Sequence, residues 1–116
     1  MITHKPWRSS YPAGVPHELD YGAYDSLLDL LDESFTKYAN QPAYWCMGKH
    51  FSYQVIDHAS KKLATYLQSL GLKKGARVAI MLPNIPQYPI ALYAVLRAGY
   101  IVVSINPLYT PRELSA

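Results

Sequence analysis

Cysteine and charged residues are both scarce in this sequence, and each shortage excludes a class of protein. With a single cysteine, Cys46, no internal disulfide can form, and the sequence gives no evidence of secretion. Its neighbours Trp45 and Met47 are typical of an ordinary strand rather than of a catalytic thiol. Only 16% of the 116 residues are charged and half are apolar or aromatic, which excludes intrinsic disorder. The length suits one compact domain or one lobe of a larger one.

Signals for membranes, metals and nucleic acids are also missing. No apolar run approaches the length that spans a bilayer, and the amino terminus has no signal-peptide core, so we expect a cytoplasmic protein. The histidines form no HxH or HxxxH pair and predict no metal site; they are His4, His17, His50 and His58. Within a net charge of +3, the lysines cluster only as Lys61–Lys62 and Lys73–Lys74. Such pairs are too sparse for a nucleic-acid interface.

Two regions can be separated along the chain. Residues 1–25 are predicted to form an extended arm, because Pro6, Pro12 and Pro16 prevent a regular helix or a central strand. Apolar residues nevertheless recur along the arm, at Trp7, Tyr11, Val15 and Leu19. We therefore expect it to lie over another surface, either of this chain or of a partner. Residues 26–116 are predicted to form an incomplete α/β domain.

The first half of that domain reads as helix, hairpin and helix. Ser26 is the predicted cap of the first helix, which ends by Pro42. A hairpin follows, with strands Ala43–Met47 and His50–Tyr53 and a turn at Gly48–Lys49. The second helix begins at Ser52 and ends at Gly71. Its predicted core face is Ile56, Ala59, Leu63, Tyr66, Leu67 and Leu70, and its predicted water-facing side is Asp57, Lys61, Lys62 and Gln68.

The second half predicts a right-handed βαβ unit. Two continuous apolar runs, Val78–Leu82 and Ile101–Ile105, are typical of parallel strands covered on both faces. The helix between them begins at Pro86, ends at Gly99 and is apolar nearly all round. A last helix is signalled by Thr110, Pro111 and Glu113 but is only a few residues long. We therefore expect the chain to be the front of a longer protein.

The turn after the first parallel strand is a poor phosphate cradle. Pro83–Gln87 contains two prolines and no glycine, so it offers few amide donors, and no Walker loop occurs elsewhere. No serine has the G-x-S-x-G setting, and no carboxylate pair shares an apolar face. Asn84 and Asn106 follow the two strands where α/β sheets place ligands, but the favoured interpretation is that their side chains satisfy turn amides before Pro86 and Pro107. We assign no catalytic, cofactor-binding or metal-binding residue.

Four ordered strings carry a family resemblance. They are YPAGVPHELD from Tyr11, QPAYWCMG from Gln41, YLQSLGLKKGARVAIMLPNIPQYPIALYAVLRAGY from Tyr66 and VVSINPLYTPREL from Val102. Together they resemble the amino terminus of bacterial long-chain fatty acyl-CoA synthetases, in the adenylate-forming ligase superfamily. The chain departs from that pattern at Ser104, where asparagine is common, and at Ala76, where an acidic residue is usual. A surface or loop position would tolerate the change at Ser104.

The resemblance implies a parent enzyme that makes an acyl-adenylate from fatty acid and ATP and then transfers the acyl group to coenzyme A, with Mg²⁺ assisting. The phosphate loop, adenine motif and catalytic lysine of that family lie beyond the end of this sequence, so ATP, Mg²⁺ and CoA are expected for the parent and none for this fragment. Expected partners are the rest of the parent chain and further copies, through the arm or exposed sheet edges. No nucleic acid is expected. Peripheral contact with the inner membrane face is a further expectation for the parent.

Three interpretations remain open at this point. The chain can be an inactive amino-terminal piece of an acyl-CoA ligase, for which ATP–pyrophosphate exchange should be absent. It can be a self-associating assembly module, which sedimentation would detect. It can also be an independent small nucleotide-binding α/β protein, which calorimetric titration with ATP or AMP would distinguish from the other two.

Overall fold

The computed structural model describes residues 4–116 and contains two separate two-stranded sheets flanked by helices. A short 3₁₀ helix spans Pro6–Ser10 in the arm. The α-helices are α1 (Leu27–Lys37), α2 (Tyr53–Ser69), α3 (Gln87–Arg97) and α4 (Pro111–Ser115). The strands are β1 (Pro42–Cys46), β2 (Lys49–Ser52), β3 (Arg77–Ile80) and β4 (Ile101–Ser104).

The predicted caps of α1 and α2 are confirmed. The Ser26 hydroxyl accepts a hydrogen bond from the Asp29 amide at 3.2 Å, and the Ser52 hydroxyl accepts one from the Val55 amide at 3.3 Å. Each serine therefore satisfies an amide that has no partner inside its helix. Gly71, just beyond α2, has a φ of +74°, as the predicted left-handed cap requires.

The hairpin turn lies one residue earlier than the sequence predicts. Met47 and Gly48 are the two turn residues, with φ of +49° and +82°, and Lys49 already pairs with Cys46 in an antiparallel register. A two-residue turn with positive φ at both positions matches the twist of the flanking strands. That geometric demand outweighs the reluctance of Met47 to adopt a left-handed conformation. The return strand ends at Ser52, because Tyr53 is already the first residue of α2.

The main core lies where α2 and α3 pack on the parallel pair β3 and β4. Ala94 and Val95 of α3 are buried against Ala64 of α2 and Ile80 of β3. The prediction that α3 is covered on more than one side is confirmed, since it contacts both strands and both longer helices. The predicted core face of α2 is only partly right. Its carboxy-terminal members Tyr66 and Leu70 are more than half exposed, because none of the described residues covers that end of the helix.

The predicted parallel pairing is confirmed, in the register Arg77 to Ile101 through Ile80 to Ser104. At the carboxyl end, β3 stops two residues before its predicted apolar run ends, and β4 stops one residue before. Their burial is also one-sided. Ile80 is buried, whereas Ile101 and Met81 are substantially exposed, so the expectation of cover on both faces is not met by residues 4–116.

The two ends of the chain differ in how well the sequence anticipates them. At α4 the capping box is confirmed: the Thr110 amide donates to the Glu113 carboxylate at 2.8 Å, and the Glu113 amide donates to the Thr110 hydroxyl at 3.4 Å. In the arm, every described residue is exposed except Arg8, which is half-buried. The expectation that the arm lies over another surface of this chain is therefore not met, and a partner surface stays a prediction. The part of the predicted arm at Met1–Thr3 lies outside the described residues.

Candidate functional site

An apolar groove of about 300 Å³ lies between the hairpin and the amino-terminal end of α3. One wall comes from β1, the floor from the turn after β3, and the other wall from α3. The lining residues are Tyr44, Trp45, Asn84, Ile85, Pro86, Tyr88, Pro89, Leu92 and Tyr93. A concave, mostly apolar site with a few polar groups, at the carboxyl end of a parallel strand, is typical of ligand sites in α/β folds.

Two tyrosine hydroxyls supply polar groups to this groove. Tyr44 of β1 and Tyr93 of α3 place their hydroxyl oxygens 3.1 Å apart. Burial raises the pKa of the Tyr93 phenol well above its usual range, and the hydrogen bond with Tyr44 raises it further. Phe35 of α1 packs edge-on against Tyr93, with ring centroids 5.6 Å apart. Tyr93 is therefore held neutral, suited to hydrogen bonding and not to proton transfer near neutral pH.

The structure separates the two asparagines that the sequence singles out. Asn84 is exposed and lies at the groove, whereas Asn106 lies after β4. The Asn106 carboxamide oxygen accepts a hydrogen bond from the Leu108 amide at 3.0 Å, which is the turn role that the sequence also allows. Ser104 proves to be the exposed last residue of β4, and its hydroxyl lies 2.7 Å from that of Tyr88.

The turn on the groove floor does not fit a triphosphate. Pro83 and Pro86 have no amide hydrogen, and the Ile85 amide donates to the Pro83 carbonyl at 2.8 Å. Pro86 stands at the amino-terminal cap of α3, which has no side-chain cap bond. The helix end therefore lacks the cluster of free amides that holds phosphate in nucleotide-binding folds.

The remaining candidates for chemistry are dispersed. Among residues 4–116, no three His, Cys, Asp or Glu side chains come together in a way that could hold a metal ion. Cys46 lies in β1 opposite Lys49, and His50 lies in β2 opposite Trp45. His17 packs edge-on against Tyr11 within the arm. None of the helices in the described part of the chain is long and apolar enough to cross a membrane.

An ion-pair network at the end of α3 was not predicted from the sequence. The Arg97 guanidinium contacts the Asp57 carboxylate at 2.6 Å and the Asp32 carboxylate at 3.0 Å, and its Nε donates to the Ser60 hydroxyl at 3.2 Å. It also lies over the Phe35 ring, 5.5 Å from the centroid. One side chain of α3 thus ties together α1 and α2.

The network corrects the prediction that Asp57 faces water. The Asp57 side chain is only 20% exposed because α3 covers it, although Asp32 stays 57% exposed. A sequence signal was available. Arg97 is the single charge in the otherwise apolar helix α3, and a charge carried into a core by its helix requires a partner.

Comparison with known proteins decides the family. The model of the family described as "AMP-binding enzyme" matches residues 31–116, which is well over half of the chain.

The chain belongs to the AMP-binding enzyme family.

Individual curated proteins show more specific similarities than the family model does. A long-chain-fatty-acid–CoA ligase of Escherichia coli is 52% identical over 111 residues, covering 95% of this chain and 20% of that enzyme. A long-chain-fatty-acid–CoA ligase of Bacillus subtilis is 45% identical over 114 residues, covering 98% of this chain and 20% of that enzyme. The resemblance stated from the sequence is therefore confirmed. The chain spans about a fifth of the length of the curated relatives it matches.

Two solved structures share the fold. The amino-terminal subdomain of Klebsiella oxytoca NpsA, in complex with 3-hydroxyanthranilyl-AMSN, matches with a TM-score of 0.74 at 24% identity, covering 78% of this chain and 23% of that one. The anthranilate CoA ligase AuaEII, in complex with anthranoyl-AMP, matches with a TM-score of 0.70 at 21% identity, covering 75% of this chain and 17% of that one. The expected fold class, the α/β layer of the amino-terminal domain of an adenylate-forming ligase, is confirmed.

Proposed function

We propose that this chain is the amino-terminal part of an AMP-forming ligase that joins long-chain fatty acids to coenzyme A. The observation that carries the proposal is the 52% identity to a long-chain-fatty-acid–CoA ligase over 95% of the chain. In the proposed reaction the fatty-acid carboxylate attacks the α-phosphate of ATP, which releases pyrophosphate and gives an acyl-adenylate. The thiol of coenzyme A then displaces AMP.

The residues of this chain supply architecture to that reaction. Stabilising the charge that develops on transferring phosphates requires several amide or cationic donors aimed at one point. The turn Pro83–Gln87 does not offer such donors, so we derive no catalytic step through ATP or Mg²⁺ at the groove. We propose instead that ATP, Mg²⁺ and CoA are held by the rest of the ligase. The groove and the α2–α3 core would then position that remaining part.

The proposed setting is the cytoplasm, with the ligase peripheral to the inner face of the membrane. The proposed partners are the rest of the ligase and other copies of it, through the arm or the unpaired edges of β3 and β4, and no nucleic acid. Both parallel strands pair on one side only within residues 4–116. Such edges present unpaired amides and carbonyls that another strand can satisfy.

A chimera tests the proposal directly. This chain replaces the aligned fifth of the Escherichia coli ligase, and ATP–pyrophosphate exchange is measured with oleate and, as a substrate control, with benzoate. We expect oleate-dependent exchange within about tenfold of the parental enzyme, which corresponds to about 1.4 kcal/mol, and none from the 116-residue chain alone. The matched control carries the corresponding segment of NpsA.

Two results would contradict the proposal. The first is a folded, monodisperse chimera whose exchange is no better than that of the NpsA-segment control. The second is exchange by the 116-residue chain alone above a buffer blank, because it would place the catalytic groups within these residues.

A further inference from the structure

The groove between the hairpin and α3 is aromatic, rich in proline and uncharged. Four of its lining side chains are tyrosine or tryptophan, two are proline, and none carries a charge. A carboxylate or phosphate group bound here would lose its water without finding a cation among the lining residues. At about 300 Å³ the groove lies at the small end of ligand pockets. The lining therefore selects an occupant that is short and uncharged.

The polar groups at the groove can supply several hydrogen-bond donors. The Trp45 indole is 66% exposed, and its N–H can only donate. Within the Tyr44–Tyr93 pair one hydroxyl donates to the other, so the hydrogen of the accepting hydroxyl is left to donate elsewhere. The exposed Asn84 carboxamide adds two further N–H donors. An occupant that is rich in acceptors and poor in donors complements this set.

The walls of the groove are held in place before anything binds. Pro86 and Pro89 are buried parts of its lining. Tyr93 is fixed between the Tyr44 hydroxyl and the ring of Phe35. Rigid walls lower the entropic cost of binding, and the total cost is lowest when the occupant is also ordered beforehand.

A proline-containing segment in the polyproline II conformation meets all three conditions. Proline is uncharged and has no amide hydrogen, so such a segment is rich in acceptors and poor in donors. Its backbone makes no internal hydrogen bonds, which leaves the carbonyls free, and residues three apart recur on one face about every 9 Å. Because proline fixes φ, the segment is ordered before it binds. Grooves lined by aromatic side chains are the usual receptors of such segments.

The rest of the ligase is the source that the observations favour. The chain spans about 20% of its curated relatives, so most of such an enzyme is available to supply the segment. The prolines of the arm do not suit the role. The Val15 amide donates to the Pro12 carbonyl at 3.2 Å, and Gly14 has a φ of +86°, so this part of the arm is a turn. Polyproline II requires a φ of about −75° throughout.

We propose that the groove receives a proline-containing segment of the rest of the ligase in the polyproline II conformation. Its prolines pack on Trp45, and its carbonyls accept hydrogen bonds from the Trp45 indole and the Tyr44–Tyr93 pair. This inference rests on the proposed function, in which the groove positions the remaining part of the enzyme, and it names the chemistry of the part that is positioned. Trp45 contributes both a ring and an N–H, which can be tested separately.

A short polyproline peptide tests the chemistry of the groove on the 116-residue chain. In a Trp7→Phe background Trp45 is the only tryptophan, so its fluorescence reports on the groove. We expect polyproline to shift the Trp45 emission to shorter wavelength. It should also bind at least roughly tenfold more tightly than a glycine–serine peptide of the same length, because the flexible peptide has to be ordered on binding. Calorimetry measures the affinity of variants that lack Trp45.

Two substitutions separate the ring of Trp45 from its N–H. Trp45→Ala removes both and should weaken polyproline binding at least roughly tenfold, as expected for an aromatic anchor. Trp45→Phe keeps a ring but removes the donor, and should weaken binding roughly two- to tenfold, the range of one hydrogen bond. Tyr66→Ala is the matched control, because Tyr66 is a similarly exposed aromatic residue of α2 outside the groove. It should leave binding unchanged.

A cross-link identifies the segment in the complete ligase. In the chimera, Trp45 is replaced by the photo-cross-linking residue p-benzoylphenylalanine, and the cross-linked peptides are identified by mass spectrometry. We expect a cross-link within one chain to a proline-containing segment beyond the transplanted residues. Added polyproline should not bind the chimera that retains Trp45, since its groove is filled. Neither measurement uses turnover, so an inactive chimera with this cross-link would contradict only the proposed function.

Several outcomes would overturn the inference. On the 116-residue chain these are polyproline binding no tighter than the glycine–serine peptide, an equal loss in Tyr66→Ala, or displacement of polyproline by oleate, which would reassign the groove to an acyl chain. In the chimera they are a cross-link to a segment without proline, no cross-link together with undiminished polyproline binding, or a cross-link between two chains. The last would reassign the groove to contact between copies.

Discussion

Replacing Arg97 by methionine is the sharpest test of how this fold is held together. Methionine keeps the apolar stem of the side chain but removes the guanidinium that joins Asp57 of α2 and Asp32 of α1. It also removes the cation that lies over Phe35. The change therefore deletes the polar connection between three helices while disturbing the surrounding packing as little as possible.

The expected cost follows from the burial of the groups left behind. Removing one partner of a fully buried ion pair costs about 3–5 kcal/mol, because an uncompensated charge remains. Here the cost is reduced by two features. Lys61 contacts the other oxygen of Asp57 at 2.7 Å, and Asp32 is open to water. We therefore expect Arg97→Met to lower the free energy of unfolding by about 2–3 kcal/mol. Such a loss is a large part of the roughly 5–15 kcal/mol that holds a typical domain folded.

Urea unfolding followed by circular dichroism measures this loss. With a slope of about 1–3 kcal/mol per molar urea, the midpoint should fall by about 1–2 M. Arg97→Lys keeps a charge but not the planar fork, so we expect an intermediate loss of about 1–2 kcal/mol. Arg112→Met removes an exposed arginine of α4 and serves as the matched control.

Double-mutant cycles divide this loss between the two carboxylates that contact Arg97. The coupling free energy of Arg97 should be larger with Asp57 than with Asp32, since the Asp57 carboxylate is more deeply buried. A contrary result is a free energy of unfolding of Arg97→Met within about 0.5 kcal/mol of that of the Arg112→Met control, which is the typical limit for a surface change. In that case the reasoning from burial is wrong.

Two titrations follow from the remaining pKa shifts. Because burial raises the pKa of Tyr93, the contribution of its phenol to stability should be complete below about pH 10 and be lost as the pH rises from there, since the phenol ionises first in the unfolded chain. Ultraviolet titration should show a phenol that ionises at unusually high pH and that Tyr93→Phe removes. A titration curve that Tyr93→Phe leaves unchanged would contradict this. The amide and hydroxyl of Thr110 lower the pKa of Glu113, so the capping box should hold above the ordinary carboxyl pKa and open as pH falls through the lowered value. Carboxyl chemical shifts measure it, and Thr110→Ala should return the Glu113 midpoint to the ordinary range.

Local signals in the sequence anticipate most of the fold. Serine before an apolar helix predicts both caps, at Ser26 and Ser52, because the side-chain oxygen and the amide it satisfies are only three residues apart. The sequence also predicts the parallel pairing of β3 and β4, since two short apolar strands joined by a buried helix can pack in few other arrangements. Each of these features depends on contacts within one element or between neighbouring ones.

What the sequence does not reveal depends on distant partners. Asp57 looks like a solvated helix residue until α3 lies beside it, forty positions later in the chain. The groove joins Trp45 of the hairpin to Leu92 of α3, and no spacing rule relates the two. Tyr66 and Leu70 fail in the opposite sense: their helical periodicity is real, but the surface that would cover them is not among the described residues. Periodicity reports which face is apolar and not what covers it.

The one-sided burial of β3 and β4 gives the network at Arg97 its importance. A two-stranded parallel sheet is marginal without cover on both faces, and here Ile101 is 48% exposed. The stability of this chain must therefore come mainly from the α2–α3 core and from the contacts that hold α1 to it. Of those contacts, Phe35 supplies the apolar part and Arg97 the polar part, and the two touch each other. The position of α1 therefore also affects the shape of the groove, because the ring of Phe35 packs against Tyr93, which lines one wall of the groove.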